Sequence, residues 1–251
     1  MIKNLLIEVC CGTIDDCITA IKMNADRIEL NCALELGGLT PSLATLIKTK
    51  QLSDVPVICM VRPRHKGFAY SDSQFEIMLE DAKILLDNGA DGIAFGFLDT
   101  AGNIDQDRTR VMCELIGDRQ KVFHKAIDET KDLSESLEIL ISLGVDRVLT
   151  SGLNTTIQNE SLPYLKDTIA KYQERIDILL GSGISEDNVL EIVNQTKTKS
   201  IHLTAKELKY DSSTHNYKQK NRGLVDYSYF GVSEERLATI YKILKENLND
   251  R

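Results

Sequence analysis

Two carboxylates stand inside otherwise apolar runs of strand character: Glu8 in Leu6-Ile7-Glu8-Val9 and Glu29 in Arg27-Ile28-Glu29-Leu30. A carboxylate left unpaired in such a setting costs several kcal/mol, so each needs a cation or hydrogen-bond donors. Arg62 and Arg64 of Arg62-Pro63-Arg64-His65 are candidate partners, and candidate holders of an anionic ligand. His124 and His202 each end a short β-rich run, titrate near neutral pH and can move protons, and Asp128 follows closely on His124. Glu8, Glu29, His124 and Asp128 therefore form the candidate acid/base set. Two readings stand side by side: a buried network of Glu8, Glu29 and Arg62 that fills a core, and a reactive site.

Two further signals concern ligands. Gly181-Ser182-Gly183-Ile184-Ser185 follows a β-rich run and precedes a helical one, with Glu186 at the expected helix start. Glycines let backbone N–H groups approach an anion, and a helix N-terminus adds a favourable dipole, so Gly181, Ser182 and Gly183 are expected to bind anions. Thr150-Ser151-Gly152 offers a neighbouring half of the same cradle through Ser151, and His202 and Thr204 complete the polar set at the run ends. Cys10 and Cys32 follow adjacent strands and form a soft pair suited to Cu(I) or Zn(II). Cys17, Cys59 and Cys113 sit at apolar positions and are expected in the core, and the six cysteines contain no Cys-x-x-Cys and no disulfide framework.

These residues need a scaffold that brings run ends together. Eight strand-like runs are marked: Leu5–Cys10, Arg27–Leu30, Val57–Val61, Gly92–Phe95, Val122–Lys125, Arg147–Thr150, Ile176–Leu180 and Ser200–Leu203. Helical patterns alternate with them, opened by Thr13-x-x-Asp16, by Thr40-Pro41 and by Ser71 or Asp72. The phrase Asn24-Ala25-Asp26 returns as Gly89-Ala90-Asp91 and as Gly144-Val145-Asp146, each time closing a helix and opening a strand. Strict alternation predicts a single α/β domain over residues 1–251, a (β/α)8 TIM barrel, with the repeated phrases at its bottom and the polar run ends at its mouth. Within each strand, Glu8 and Cys10 share one face, as do Arg27, Glu29 and Asn31. A long loop after the eighth strand, 204–232, shows no periodicity and is expected to cover the mouth.

Composition narrows the partners. A net charge of −8 and a sequence pI near 5.1 leave no general footprint for nucleic acid or anionic membrane, and the N-terminal run resembles neither signal peptide nor anchor. A cytoplasmic protein is expected, with a copper ion or a small anionic molecule as partner and room for a homo-oligomer.

With the run ends assembled, the chain resembles the CutC family of copper homeostasis proteins. The resemblance is carried by Ile7-Glu8-Val9-Cys10, Ala25-Asp26-Arg27-Ile28-Glu29-Leu30, Gly37-Gly38-Leu39-Thr40-Pro41-Ser42, Val61-Arg62-Pro63-Arg64, Phe68-x-Tyr70-Ser71-Asp72, Phe123-His124-Lys125-Ala126-Ile127-Asp128 and Asp146-Arg147-Val148-Leu149-Thr150-Ser151-Gly152. It implies a (β/α)8 barrel, control of cellular copper and Cu(I) binding by cysteine. The chain departs from the family in reading Glu29-Leu30-Asn31-Cys32 where Glu-Leu-Cys is common, which moves the thiol by one residue, and in reading Gly181-Ser182-Gly183 for three glycines. The gathered charges point instead to a barrel enzyme using acid/base chemistry on a small anionic metabolite, a phosphorylated one among the candidates. A purely structural or regulatory binding module is the third class.

Overall fold

The computed structural model describes Ile2, residues 5–210 and residues 228–248. Eight parallel strands close into a barrel in chain order: β1 (Leu6–Cys11), β2 (Arg27–Leu30), β3 (Val57–Met60), β4 (Gly92–Phe95), β5 (Gln120–Phe123), β6 (Arg147–Thr150), β7 (Asp177–Gly181) and β8 (Ser200–Leu203). Between them run α1 (Ile14–Lys22), α2 (Leu43–Leu52), α3 (Asp72–Asp87), α4 (Gln106–Ile116), α5 (Leu133–Ser142), α6 (Leu162–Tyr172) and α7 (Val189–Thr196), and α8 (Glu234–Leu248) follows β8. No helix among the described residues is long and apolar enough to cross a membrane.

Side-chain parity separates two interiors. Ile7, Val9 and Cys11 of β1, Ile28 and Leu30 of β2, and Val57 and Cys59 of β3 pack outward into the large core shared with the helices. Ile58, Met60, Ala94 and Val122 form a small apolar plug inside the barrel. Glu8, Cys10, Arg27 and Glu29 occupy the alternate positions of β1 and β2 and are buried. Adjacent Cys10 and Cys11 thus separate: Cys11 joins the outer core, whereas Cys10 faces the barrel interior.

The repeated phrase is a clamp at the barrel's bottom. Asn24, Gly89 and Gly144 take left-handed backbone at φ 57°, 98° and 76°, ending their helices. The Asp two residues on then closes two bonds to the start of the preceding strand. The Asp26, Asp91 and Asp146 amides donate to the carbonyls of Ile7, Val57 and Lys121, and their carboxylates accept from the amides of those same residues at 2.9, 2.8 and 2.8 Å. Replacing Asp91 with Ala strips the Val57 amide and Lys50 Nζ of an acceptor, so a loss of about 1–3 kcal/mol in unfolding free energy is expected from urea denaturation. An unchanged midpoint would show that the clamp is dispensable.

Several boundaries shift for local reasons. β5 stops at Phe123, and His124 caps a short 3-10 helix over Lys125–Glu129. The cap of α2 is Ser42, whose Oγ accepts from Thr45 N, while Thr40 bonds the Arg62 backbone in both directions, at 3.2 and 3.0 Å. The Thr13–Asp16 capping box forms as the sequence implies, and Ser71, one of the two expected starts of α3, closes a second box with Gln74. Helix α7 starts at Val189, later than Glu186, because Asn188 folds the preceding turn, accepting from Ser185 N and donating to Gly183 O. The stretch after β8 is not wholly irregular: β9 (Lys206–Tyr210) and β10 (Ser228–Val232) pair antiparallel, and the middle of the 204–232 stretch lies outside the described residues.

Candidate active site

A cavity of about 670 Å³ opens at the C-terminal ends of the strands. Its floor is made by Cys10, Glu29, Asn31 and His202, and its opposite wall includes Arg62 and His124. Residues of the β7 loop, Ser182 to Ser185, and Phe230 of β10 reach it from other sides, so part of the stretch after β8 does stand at the mouth.

Beneath the floor lies a buried ion cluster. Glu8, 1% exposed, accepts from Arg27 Nε and bonds His202 Nδ1 at 2.7 Å. Burial alone would raise the Glu8 carboxyl, but Arg27 and His202 outweigh it and hold it down at about 2. His202 is held well above the usual histidine range: burial opposes the charge, and Glu29, Cys10 and Glu8 together overcome it. The cation for Glu8 is therefore Arg27, the residue after the first repeated phrase, not Arg62 or Arg64. Arg27 lies directly beside Glu8 in the β1–β2 register, which makes it the counter-ion of the barrel interior.

Glu29 has a different environment. It accepts from Asn31 Nδ2 at 2.8 Å and from Cys10 Sγ at 3.6 Å, and His202 Nε2 stands 3.9 Å away. Burial, joined by the like charge of Glu8, raises its carboxyl. The Cys10 thiol is likewise pushed up to about 11 by burial. The floor thus pairs an imidazolium with a carboxyl that resists ionisation, an arrangement able to hold and pass a proton.

The wall is built of donors. Arg62 spends Nη1 on the carbonyls of Leu36, Gly37 and Gly38 at 3.5, 3.0 and 3.3 Å and lies over the Phe68 ring at 5.1 Å, while its buried Nε has no partner. His124 Nδ1 accepts from Ala126 N–H at 3.1 Å, which puts the ring proton on Nε2, and that buried N–H also has no partner. Burial first, and Arg62 second, lower the His124 ring to about 3, so it is a neutral donor. A Cβ at position 96 would lie 2.4 Å from His124 Cε1, so Gly96 is what lets the ring sit there.

The remaining expected residues divide. Asp128 faces away from the cavity and organises the β6 loop, accepting from Thr150 Oγ1, Leu153 N, Ser151 N and Ser151 Oγ at 2.5 to 3.0 Å. With its oxygens occupied, it is a positioning residue in place of the acid/base group expected. Ser151 belongs to the same knot, also bonding Lys125 Nζ at 2.7 Å, and does not line the cavity. Arg64 braces its own loop through Lys66 O, Ala69 O and Gln74 and stacks over Tyr70, so it too is absent from the lining. Gly181 packs against Leu149 and His202, where an added Cβ would come within 2.6 Å of Leu149 Cδ1. Ser182 and Gly183, at φ 79° and 82°, do line the cavity, with Ser182 Oγ donating to Thr155 O. Cys32 donates to Thr40 O at 3.1 Å and does not line the cavity that Cys10 faces. Arg236 of α8 reaches the lining while bound to Glu186 at 2.9 Å through two nitrogens; a single arginine on a regular amphipathic helix carries no sequence signal for this. Phe68 could have been found from its place in Phe68-x-Tyr70-Ser71-Asp72.

The comparisons agree with this architecture. The CutC family model matches residues 5–207. The chain is 45% identical over 212 residues to a CutC family protein of Treponema denticola, covering 84% of this chain and 86% of the relative. It is 34% identical over 248 residues to one of Bacteroides fragilis, covering 98% and 97%. Among solved structures, a Streptococcus agalactiae protein assigned to copper homeostasis as CutC is similar at a TM-score of 0.74 and 28% identity, over 80% of this chain and 98% of that one. A phosphoribosylanthranilate isomerase of Pyrococcus furiosus, at a TM-score of 0.54, 14% identity and 97% and 99% coverage, shares the barrel fold alone. On the extent of the family match and the identity to its members, this chain belongs to the CutC family.

Proposed function

We propose that the protein is a (β/α)8 enzyme that binds a small molecule bearing a carboxylate or phosphate in the mouth cavity and moves a proton on it with Glu29. One observation carries the reading: two buried donors without acceptors, Arg62 Nε and His124 Nε2, belong to residues that line the same cavity as Glu29. Buried donors are rarely left unmade, and an anionic oxygen supplies the acceptor both lack. Arg62 contributes charge, while neutral His124 contributes a hydrogen bond that strengthens as charge develops on the substrate, without the cost of a second buried cation. Glu29, raised and backed by His202, exchanges the proton. All six cysteines are free, which fits a reducing, cytoplasmic setting.

The test is thermal stabilisation by inorganic phosphate and by a panel of small phosphorylated and carboxylated metabolites. At least one of them raises the melting temperature of the wild type, and Arg62→Met binds it at least about 10-fold more weakly, the equivalent of one lost charge-assisted hydrogen bond. No stabilisation by any of them, or equal binding by Arg62→Met, sinks the reading. With a substrate in hand, Glu29→Gln is expected to lower turnover by roughly 100-fold or more.

A second reading follows the copper theme in the name of the S. agalactiae relative: Cu(I) held by Cys10 and Cys32. Cys10 lies on the cavity floor, whereas Cys32 must give up Thr40 O to join it. One cavity-facing thiol is a poor match to a two-thiolate Cu(I) centre. Anaerobic Cu(I) titration decides this: binding unchanged in the double Cys10→Ser, Cys32→Ser variant removes the thiolate pair.

A further inference from the structure

We propose that Cys10, Glu29 and His202 form a site for a divalent transition-metal ion of the Zn(II) or Co(II) class. Their donor atoms, Cys10 Sγ, one Glu29 carboxylate oxygen and a His202 ring nitrogen, all lie within 4.8 Å of one another, and all three residues are buried. Metal–sulfur bonds of about 2.3 Å and metal–nitrogen or metal–oxygen bonds of about 2.0–2.2 Å put tetrahedral ligands roughly 3.3–3.8 Å apart. Glu29 Oε2 already stands 3.6 Å from Cys10 Sγ and 3.9 Å from His202 Nε2, so side-chain adjustment alone closes the site.

The surroundings are those of a ligand set held ready. Glu8 takes His202 Nδ1 at 2.7 Å, which fixes the ring and leaves Nε2 turned toward Glu29, the carboxylate–histidine pairing that orients metal-bound imidazoles. Asn31 Nδ2 donates to both Glu29 and Cys10, at 2.8 and 3.5 Å, and supports them as anions. Its Oδ1 is buried, lines no bond of its own and belongs to the same cavity floor.

Charge selects the ion. With Cys10 as thiolate, the anions Glu8, Glu29 and Cys10 face Arg27, leaving two negative charges in a buried space. A dication cancels them; a monovalent ion leaves one uncompensated, which is costly at this depth. Binding releases to solvent the Cys10 thiol proton, the His202 Nε2 proton and any proton that the raised Glu29 carboxyl carries, so His202 becomes a neutral ligand and Glu29 an anionic one. Three protein ligands leave a fourth position directed to the cavity, the pattern of an open site. This inference does not rest on the proposed proton transfer: with the ion bound Glu29 is a ligand, and in its absence Glu29 is free to exchange a proton.

The test is Co(II) titration of chelator-treated, reduced full-length protein under anaerobic conditions, followed by absorption. The expected result is a one-to-one rise of a thiolate-to-cobalt charge-transfer band in the near ultraviolet, with visible d–d bands of tetrahedral intensity. Cys10→Ser abolishes the charge-transfer band, Cys32→Ser retains it, and Glu29→Gln, which keeps the thiol and the shape, weakens binding at least about 10-fold. Circular dichroism confirms that each variant is folded. Absence of the band in the wild type, its persistence in folded Cys10→Ser, or unweakened binding by Glu29→Gln overturns the site. The phosphate and metabolite experiment reads the Arg62–His124 wall without metal, so failure of one proposal is distinguishable from failure of the other.

Discussion

Replacing Glu8 with Ala is expected to lower the unfolding free energy by about 3–5 kcal/mol, the cost of stripping a buried ion cluster of its anion. The variant leaves Arg27 and His202 as neighbouring buried cations, and Arg27 Nη2 already lacks a partner. A carboxyl held at about 2 against an ordinary 4.5 gives a matching size, roughly 3 kcal/mol. The sign follows from linkage: a depressed carboxyl contributes stability above about pH 4.5 that is lost as pH falls toward 2. Since domains of this kind hold only about 5–15 kcal/mol in total, the single variant approaches the edge of folding. Arg27→Met should cost a similar amount, while the double variant Glu8→Leu, Arg27→Met costs much less than the two together, because no lone charge remains between them. Urea midpoints at pH 7 measure all three. A single-variant loss below about 1 kcal/mol would show that Glu8 is hydrated and that the cluster is not sealed.

His124 makes the opposite prediction for mild acid. Its folded value near 3 lies below the ordinary 6.5, so the folded state refuses a proton that the unfolded chain accepts. Stability contributed by the neutral ring is complete above 6.5 and is lost as pH falls toward 3. Between pH 6.5 and 4.5 this amounts to about 2–3 kcal/mol, at roughly 1.4 kcal/mol per pH unit. His124→Gln removes the titration, so its stability should change correspondingly less over that interval. Glu8 is silent there, because its window opens only below about 4.5. His202, raised in the fold, acts on the other side, losing its contribution as pH rises above 6.5. The raised Glu29 carboxyl works against His124 just above 4.5, and comparison of wild type with His124→Gln cancels it. Parallel stability curves for the two proteins would mean that His124 is protonated in the fold, and the neutral-donor role would fall with it.

Local features were legible where the physics is local. The left-handed residue before each Asp, the capping box at Thr13 and the helix start at Ser71, and the alternation that puts Glu8 beside Cys10 and Glu29 beside Asn31 depend on neighbours within a few residues. The site was legible only in part. His124 and Asp128 stand four residues apart in one motif, yet Asp128 is consumed by Thr150, Ser151 and Leu153, partners more than twenty residues away. Arg62 and Arg64 are two residues apart, yet one enters the cavity and the other braces a loop, because the turn over Lys66–Ala69 offers carbonyls that Arg64 reaches first.

The barrel, its eight-strand count, the inward face of each of the first two strands and the family follow from the order of residues alone. These rest on periodicity and on capping, which short segments express without help. Which charges meet depends on the folded chain. Glu8 finds its cations in Arg27, 19 residues away, and in His202, 194 residues away, because closing the barrel sets β2 and β8 on either side of β1. The same closure gathers Cys10, Glu29 and His202 on one floor while the one-residue offset at Cys32 takes its thiol to Thr40. Ion pairing and donor convergence are set by distances across strands, and those exist only once the chain has closed on itself.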